Sequence, residues 1–453
     1  MEDRLERKLG LFPVTNIVIA NMIGAGIFTT SGLLMGDLKK PLLMLALWLV
    51  GGIIALCGAL SYGELGAAIP KAGGEYAFLS KLFHPGFGFL SGWVSFFAGF
   101  SAPIAASAIG FSEYLTRAFP SLLEPGILDG PADGVAVKKF LSILVIVLFT
   151  LIHARGVEAG ARVQNFLTLL KVTLVAALII AGFSSSRGDF AHLAQGGGFR
   201  FDFGGWKTIG LSLMWIMFAY SGWNASAYIG SEVRDPRRNL PRSLLLGTGI
   251  VLLLYAGLNV LYLYALPAGE MSGVIAVGGL AAGRLFGHSF EPILSLFIAF
   301  ALFSSLSAFI ILGPRVYYSM ARDGVFFRSV AKLHPVLGAP SRSVALQGLI
   351  AMVIVVSGSL DQILTYMGFS LGIFPVLAVL GVFKLRRTGR SVVRMPGYPV
   401  APALYIVAGT AILVLGFLQS PGPSGVALLT LAAGVPAFHF FRKRGKVGKK
   451  EGS

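Results

Sequence analysis

The stretch that decides the fold reads Asn21-Met22-Ile23-Gly24-Ala25-Gly26-Ile27-Phe28. It lies in the middle of an apolar run over residues 11–35, which is long enough to cross a bilayer, because about 20 residues rising ~1.5 Å each span a hydrocarbon core of ~30 Å. The two glycines oppose an uninterrupted helix, since each costs up to about 1 kcal/mol relative to alanine in a helix interior. They indicate either close packing against a neighbouring helix or a break whose free amides and carbonyls line a cavity.

The composition identifies a polytopic membrane protein. Of 453 residues, 55% are hydrophobic and 13% are charged, and the mean hydropathy is +0.78, whereas soluble domains carry about 25% charged residues. The sequence contains about twelve apolar segments, most of them as long as a spanning helix requires. They cover residues 11–35, 41–69, 86–115, 140–153, 163–183, 208–230, 244–266, 293–318, 344–357, 363–383, 403–418 and 426–441. We therefore expect an all-α integral membrane protein with a retained first helix and no signal peptide.

The positive charge is distributed as in a membrane protein. An even number of spans puts both termini on one side, and placing them in the cytoplasm assigns 26 Lys and Arg residues to cytoplasmic segments and 9 to outer loops. This excess is the positive-inside pattern, so the formal net charge of +17 does not indicate a nucleic-acid partner. We expect a multi-pass protein of the cell membrane whose basic tail, residues 442–453, lies against anionic lipid headgroups.

Several other types of site are not predicted. The only cysteine, Cys57, lies inside the second span, so the chain has no internal disulfide. No cluster of His, Cys and carboxylates has metal-ligand spacing, and no Gly-Lys-Ser or Gly-Lys-Thr phosphate cradle is present. The sequence therefore predicts no metal, no cofactor and no nucleotide-driven pump.

Span six repeats the unusual features of span one. The run Phe218-Ala219-Tyr220-Ser221-Gly222-Trp223-Asn224 puts glycine and polar residues at mid-depth, five spans after the first such run. Interrupted helices at matching positions of two halves indicate an inverted-repeat transporter. The expected units are a first repeat over residues 1–184, a second repeat over 206–384, two further helices over 402–441 and the tail over 442–453.

Two broken helices would form a site for a zwitterion. The outer half of span one, starting within residues 23–26, would present free amides to an anion such as a carboxylate. Carbonyls would face an ammonium group, and we expect them at Asn21, Met22, Phe218, Ala219 and Ser221. Because the sequence has no acid near either break, a cationic or polyamine ligand is disfavoured. Phe218, beside Gly222 and Asn224, is interpreted as a lid over the ligand.

Lys171 is the second residue with a predicted function. It lies nine positions beyond Arg162, about 13 Å along a helix and thus near the middle of the membrane. An intramembrane lysine costs roughly 2.5–3.5 kcal/mol on insertion scales. Two interpretations remain open: a fixed cation that holds unwound carbonyls, or a proton carrier.

A set of motifs distributed over nearly the whole chain resembles the amino acid-polyamine-organocation superfamily. They are Ile23-Gly24-Ala25-Gly26-Ile27-Phe28, Ile-Pro-Lys-Ala-Gly-Gly-Glu-Tyr at residues 69–76, the run at 218–224, Asn239-Leu240-Pro241-Arg242, Met320-Ala321-Arg322-Asp323-Gly324, and Tyr398-Pro399 with Pro402. The run Val163-Gln164-Asn165-Phe166 leading to Lys171 resembles the L-type amino acid transporter branch in particular.

The resemblance implies a leucine-transporter fold, in which five plus five helices form an inverted repeat, two more follow, and helices one and six are unwound at mid-membrane. It places the substrate-binding residues at Met22, Ile23, Gly24, Ala25, Gly26, Ile27, Phe218, Ala219, Ser221 and Asn224. Phe218 would be the outer gate. Lys171 would occupy the place of a sodium ion in sodium-coupled relatives, with Ser304 or Ser305 nearby. Tyr255 matches a tyrosine implicated in the transport path.

The chain departs from the family pattern in two ways. Ser221 stands where the large-neutral transporters carry glycine, which narrows the pocket toward small, neutral substrates. The cysteine by which animal members bind a heavy chain is missing, so we expect a prokaryotic transporter without a disulfide-linked partner. The predicted function is sodium-independent transport of L-amino acids by alternating access, as an exchanger or coupled to protons. The alternative is a membrane sensor that binds an amino acid without moving it.

Overall fold

The computed structural model describes residue 7 and residues 9–123, 134–154, 158–331 and 341–450. Regular secondary structure in these residues is helical, apart from two isolated β-bridges. The first residues of the chain and the end of the basic tail, residues 451–453, lie outside the described residues. The same holds for the side chains at 158–165, 167, 311, 315 and 444–450, and the first of these ranges covers residues 163–165 of the predicted motif at 163–166.

Eighteen α-helices can be followed through the described residues. They are α1 Leu11–Met22, α2 Ala25–Leu38, α3 Pro41–Ala68, α4 Glu75–Leu82, α5 Pro85–Val94, α6 Ala102–Ala118, α7 Gly134–Ala154, α8 Glu158–Ser184, α9 Phe203–Ala219, α10 Ala225–Tyr228, α11 Pro236–Ala265, α12 Ala268–Met271, α13 Val277–Phe286, α14 Phe290–Arg322, α15 Ser341–Ser357, α16 Leu360–Arg387, α17 Val400–Gln419 and α18 Pro421–Lys450. A π-helical segment, Ser95–Ser101, joins α5 to α6.

Within the described part of the chain, nine helical segments are long and apolar enough to cross a membrane. They coincide with nine of the predicted spans. The predicted spans at residues 163–183 and 344–357 fall on shorter apolar helices, Thr168–Ser184 and Ser341–Ser357, and the one at 208–230 falls on α9 and α10. The all-helical membrane architecture is thus confirmed, while the total of twelve spans stays a prediction.

The outer surface of α7 shows how these helices meet lipid. Phe140, Leu144, Leu148 and Leu151 recur at helical spacing along one face, and each is at least half exposed. A contiguous apolar stripe of this kind is unfavourable in water and favourable against acyl chains. The face therefore matches a helix at the periphery of a membrane-embedded bundle.

The first span is interrupted where the glycines predicted either a break or close packing. Helix α1 ends at Met22 and α2 begins at Ala25. Between them Ile23 has φ −73° and ψ 92°, and Gly24 has φ −139° and ψ −155°, so both backbones are extended. Two extended residues end the i to i−4 ladder and leave polar backbone groups in the interior of the bundle.

The sixth span is interrupted in a similar way. Helix α9 ends at Ala219 and α10 begins at Ala225, with a turn between them. Gly222 in this turn has φ +99°, a conformation that glycine adopts without the steric penalty of a Cβ atom. The turn therefore depends on glycine at this position.

The two breaks pack against each other through their glycines. A Cβ atom added to Gly222 would lie 2.7 Å from the Cβ of Asn21, and one added to Gly26 would overlap the backbone of Ala219. Neither position has room for a side chain. The glycines thus provide both close packing and a helix break, the two alternatives that the sequence left open.

A buried ion pair fixes the end of α3 to the last turn of α16 and to the chain that follows it. The Glu64 side chain, only 1% exposed, accepts hydrogen bonds from Nε and Nη2 of Arg386 at 2.7 and 2.6 Å. It also accepts from Ser391 Oγ at 2.7 Å and from the Met395 amide at 3.2 Å. The Arg386 guanidinium lies 4.0 Å from the ring centroid of Tyr398. Every lone pair of the buried carboxylate is therefore in use.

Replacing Glu64 with alanine is expected to destabilise the protein, because it leaves Arg386 as an uncompensated charge, a change worth about 3–5 kcal/mol when one partner of a buried pair is removed. The matched control is Glu113→Ala. Glu113 pairs with Lys138 at 2.8 Å in a partly exposed position, where such a pair contributes about 0–1 kcal/mol. Thermal unfolding of the detergent-purified variants measures the difference, and equal losses for the two variants would contradict this account.

Candidate binding site at the two helix breaks

Lys171 lies against the end of α1. Its side chain is 1% exposed. Its ammonium donates to the Ala20 carbonyl at 3.2 Å, to Ser305 Oγ at 3.1 Å and to the Ile23 carbonyl. Three acceptors match the three N–H groups of an ammonium. The lysine therefore satisfies carbonyls that the interrupted helix leaves without an intrahelical partner.

Ser305 on α14 supports the same carbonyl. Its hydroxyl donates to the Ile23 carbonyl at 2.9 Å, and a Cβ atom on Gly24 would lie 3.2 Å from the Ser305 oxygen. Of the two serines that the resemblance implied, Ser305 is thus the one that touches Lys171. Ser304 is buried on the same helix.

Tyr255 on α11 joins the two breaks. Its hydroxyl lies within hydrogen-bond distance of the Met22 carbonyl, and 3.0 Å from the Ala219 carbonyl. The ring packs against Trp48 and Tyr220, with centroids 5.5 and 5.0 Å away. The last carbonyl of α1 and the last carbonyl of α9 therefore share the single proton of one buried hydroxyl.

Most carbonyls expected to face a ligand ammonium have partners inside the protein. Those of Met22 and Ala219 accept from Tyr255. The Phe218 carbonyl accepts from the Ser221 amide at 2.8 Å, while no hydrogen bond to the Ser221 carbonyl is present among the described residues. No hydrogen bond to the Asn21 carbonyl is present among these residues either. In this conformation, Asn21 and Ser221 are therefore the expected residues whose carbonyls remain open.

The N-terminus of α2 has the opposite character. No side chain caps it at Gly24, so the amides of its first turn have no intrahelical acceptor. Such a terminus attracts anions. Residues 22–27 are all buried and lie together, with Gly26 directly against Ala219. The predicted carboxylate-binding amides are thus assembled but covered by span six.

A cavity lies beside the break in span six. Its empty space is about 1050 Å³, a figure that includes open solvent at its mouth. Six residues from the two predicted break regions line it, namely Asn21, Phe218, Ser221, Gly222, Trp223 and Asn224. The described structure therefore brings Phe218, Ser221 and Asn224 to a common cavity, whereas residues 22–27 are packed behind them.

Glu75 is a cavity residue that the sequence reasoning missed. It begins α4 and is 3% exposed. One carboxyl oxygen accepts from Asn224 Nδ2 at 2.6 Å and from the Tyr62 hydroxyl at 2.8 Å. The expectation that no acid lies near either break is therefore wrong.

The signal for Glu75 was present in the motif at residues 69–76. Gly73 and Gly74 have φ of +110° and +52°, values that turn the chain sharply. The Gly73 amide then donates to the Tyr228 carbonyl at 3.0 Å. A Gly-Gly turn immediately before an acid brings the acid back to span six, although spacing in the sequence does not reveal the target.

Comparison with known proteins agrees with this architecture. The family described as amino acid permease matches residues 9–436. The chain is 28% identical over 453 residues to Asc-type amino acid transporter 1 of Mus musculus, covering 98% of this chain and 83% of the relative. It is 27% identical over 452 residues to the serine/threonine exchanger SteT of Bacillus subtilis (strain 168), covering 98% of each chain. It is 28% identical over 443 residues to the cystine/glutamate transporter of Homo sapiens, and the match covers 97% of this chain and 86% of the relative.

Removing the Tyr255 hydroxyl is expected to loosen both breaks at once. Tyr255→Phe leaves the Met22 and Ala219 carbonyls without their donor, and an unsatisfied buried acceptor costs about 1–3 kcal/mol. Hydrogen–deuterium exchange should therefore rise in peptides that cover residues 19–27 and 216–224.

Tyr262→Phe is the matched control. The Tyr262 hydroxyl is buried on the same helix and has no hydrogen-bond partner among the described residues, so its removal should leave exchange at both breaks unchanged. If Tyr255→Phe and Tyr262→Phe gave the same exchange pattern, Tyr255 would not be holding the breaks.

Proposed function

The chain belongs to the amino acid permease family, and we propose that it transports L-amino acids across the cell membrane by alternating access without sodium. The resemblance indicated by the sequence motifs is confirmed by the family match and by the relatives. The family and these relatives are transporters and not enzymes. With its apolar helices, the protein is a multi-pass membrane protein.

The observation that carries the proposal is the uncapped N-terminus of α2 beside the second break. The first-turn amides at residues 24–27 suit the α-carboxylate of an amino acid, and the open Ser221 carbonyl suits its α-ammonium. A zwitterion thus meets the opposite dipole end at each charge. Because backbone amides and a backbone carbonyl would bind the α-carboxylate and the α-ammonium, no charged side chain is required at this point.

The two breaks also support the proposed symmetry. The break at Ile23–Gly24 interrupts the first span of the repeat at 1–184, and the break at 220–224 interrupts the first span of the repeat at 206–384. Interrupted helices at matching positions are the signature of inverted-repeat transporters. On this basis we assign twelve spans, two of them at 402–441, and cytoplasmic termini.

Contacts between the two repeats support a closed cytoplasmic gate in this conformation. The Leu9 amide donates to the Glu232 carbonyl at 3.0 Å, and the Arg234 amide donates to the Leu9 carbonyl at 2.8 Å. The Tyr76 hydroxyl donates to the Asp323 carboxylate, and burial together with this bond raises the pKa of Tyr76 above its usual range. These segments lie on the side that the positive-inside pattern assigns to the cytoplasm. A gate must separate them before substrate leaves inward.

The position of Lys171 supports the proposed sodium independence. Its ammonium lies among the oxygens of Ala20, Ile23 and Ser305, which are ligands of the kind that a hard cation requires. A second cation entering this cluster would be repelled by the fixed charge. The three hydrogen bonds favour the role of a fixed cation over that of a proton carrier.

Substrate size and coupling are narrower proposals. The Ser221 side chain lies in the cavity wall, so its hydroxymethyl group reduces the space for a substrate and favours small neutral amino acids. Exchange is favoured over proton coupling because the relative that matches over 98% of both chains is named an exchanger. The second candidate function remains a sensor that binds an amino acid without moving it.

Uptake of radiolabelled amino acids into proteoliposomes tests the proposal directly. We expect uptake that requires amino acid inside the vesicles and is the same in sodium and choline chloride. Uptake driven by a pH gradient alone would indicate proton coupling. Saturable binding without uptake under any gradient would contradict transport and favour the sensor.

Lys171→Met is expected to abolish transport, because the variant loses the ammonium that satisfies Ala20 and Ile23. Lys139→Met is the matched control, since Lys139 donates to the Val356 carbonyl in an exposed position. Initial uptake rates should fall at least about tenfold for the first variant and stay near wild type for the second. A Lys171→Met protein that transports normally would remove this residue from the mechanism.

A further inference from the structure

One end of the cavity beside span six is polar and is built around Glu75. Asn224 and Tyr62 donate to the same carboxyl oxygen, and the Tyr228 hydroxyl also faces this carboxyl. Glu75, Asn224 and Tyr228 all line the cavity, together with Ser221. The cluster therefore borders the space next to the proposed substrate site.

Glu75 determines how the Asn224 amide is oriented. Because a carboxylate only accepts hydrogen bonds, the 2.6 Å contact identifies the atom of Asn224 that faces it as the donor nitrogen. The carbonyl oxygen Oδ1 then points elsewhere, and among the described residues no hydrogen bond reaches it. A fixed acceptor is thereby left beside the cavity.

Glu75 itself is held from several sides. As the first residue of α4 it lies at a helix N-terminus, where a negative charge is favoured. Tyr62 anchors it to α3, and the Gly73 amide anchors the preceding turn to Tyr228. The carboxyl group is therefore well placed to keep the Asn224 amide in one orientation.

We propose that Asn224, oriented by Glu75, forms a subsite for a hydroxyl group on the substrate side chain. The proposal rests on the proposed amino acid transport and narrows its substrate class to small hydroxylated amino acids. The hydroxyl donates to Oδ1 of Asn224. Glu75 is the positioning residue, because it acts through Asn224.

A hydroxyl fits this subsite better than a cationic group does. Glu75 lines the cavity but is only 3% exposed, and one of its oxygens already accepts from Asn224 and Tyr62, so we expect a ligand to meet the neutral carbonyl of Asn224. Much of the remaining wall is apolar, with Val94, Phe309 and Leu312 among its members. Transfer of a charged side chain into such surroundings costs more than a neutral acceptor returns.

Threonine and valine test the subsite, because they have nearly the same shape and differ in one hydroxyl. A site that hydrogen-bonds a substrate hydroxyl rejects the analogue without it, since the buried acceptor is then left unpaired. In competition against labelled substrate, wild-type protein should bind threonine at least about tenfold more tightly than valine. Serine should likewise bind more tightly than alanine.

Glu75→Gln should lower the ratio of the affinities for threonine and for valine at least about fivefold. The new amide can itself donate to Oδ1 of Asn224 and so compete with the substrate. The same substitution at Glu113, which pairs with Lys138 away from this cavity, should leave the ratio at its wild-type value. A general structural defect would reduce uptake of both substrates together.

Tyr62→Phe provides a second variant that keeps the ring and removes one donor to Glu75; we expect a smaller fall in the ratio. A wild-type affinity ratio near one, or lysine competing as well as threonine, would overturn the proposal.

If no amino acid is transported, thermal stabilisation of the purified wild-type protein by threonine and by valine tests the subsite separately from transport. Stronger stabilisation by threonine would support the subsite although transport had failed, and equal stabilisation would overturn it.

Discussion

The architecture depends on satisfying backbone polar groups that two broken helices expose in an apolar interior. In hydrocarbon surroundings each unpaired N–H or C=O group costs several kcal/mol, so a break persists only where side chains replace the lost ladder. Lys171 on α8, Ser305 on α14 and Tyr255 on α11 supply these bonds to the carbonyls around the breaks. Three helices from different parts of the chain are thereby tied to the same short stretch.

The carbonyls and the amides at the break in span one differ in whether they have hydrogen-bond partners. The carbonyls at the end of α1 are occupied by Lys171, Ser305 and Tyr255, whereas the amides at the start of α2 are uncapped. The amides of the break are therefore free to accept an anion, whereas most of its carbonyls are already hydrogen-bonded within the protein. On the proposed function, the ammonium group of a substrate would be bound by span six and the cavity beside it.

The sequence predicted the features that carry an energetic cost where they stand, such as glycine inside a helix or a charge inside the membrane. Paired glycines predicted a break or close packing at residues 21–28, and the depth of Lys171 predicted a functional lysine in the membrane. Contacts between distant segments escaped prediction, since Asn224 meets Glu75 across 149 positions through a turn whose direction only the fold sets. The choice between Ser304 and Ser305 likewise depends on the rotation of α14, which periodicity does not determine. The occupied carbonyls escaped prediction because the resemblance placed Tyr255 in the transport path without identifying the backbone groups that its hydroxyl contacts.

The central claim is that the backbone at the two breaks recognises the α-carboxylate and the α-ammonium of an amino acid. The most direct test is competition for uptake, or for binding to the purified protein, by derivatives of one transported amino acid that are blocked at a single end. The account predicts that the methyl ester and the N-acetyl derivative both lose at least about a hundredfold in affinity, because each forfeits a charge-assisted interaction with a helix break. A methyl ester or N-acetyl derivative that competes as well as the parent amino acid would contradict it.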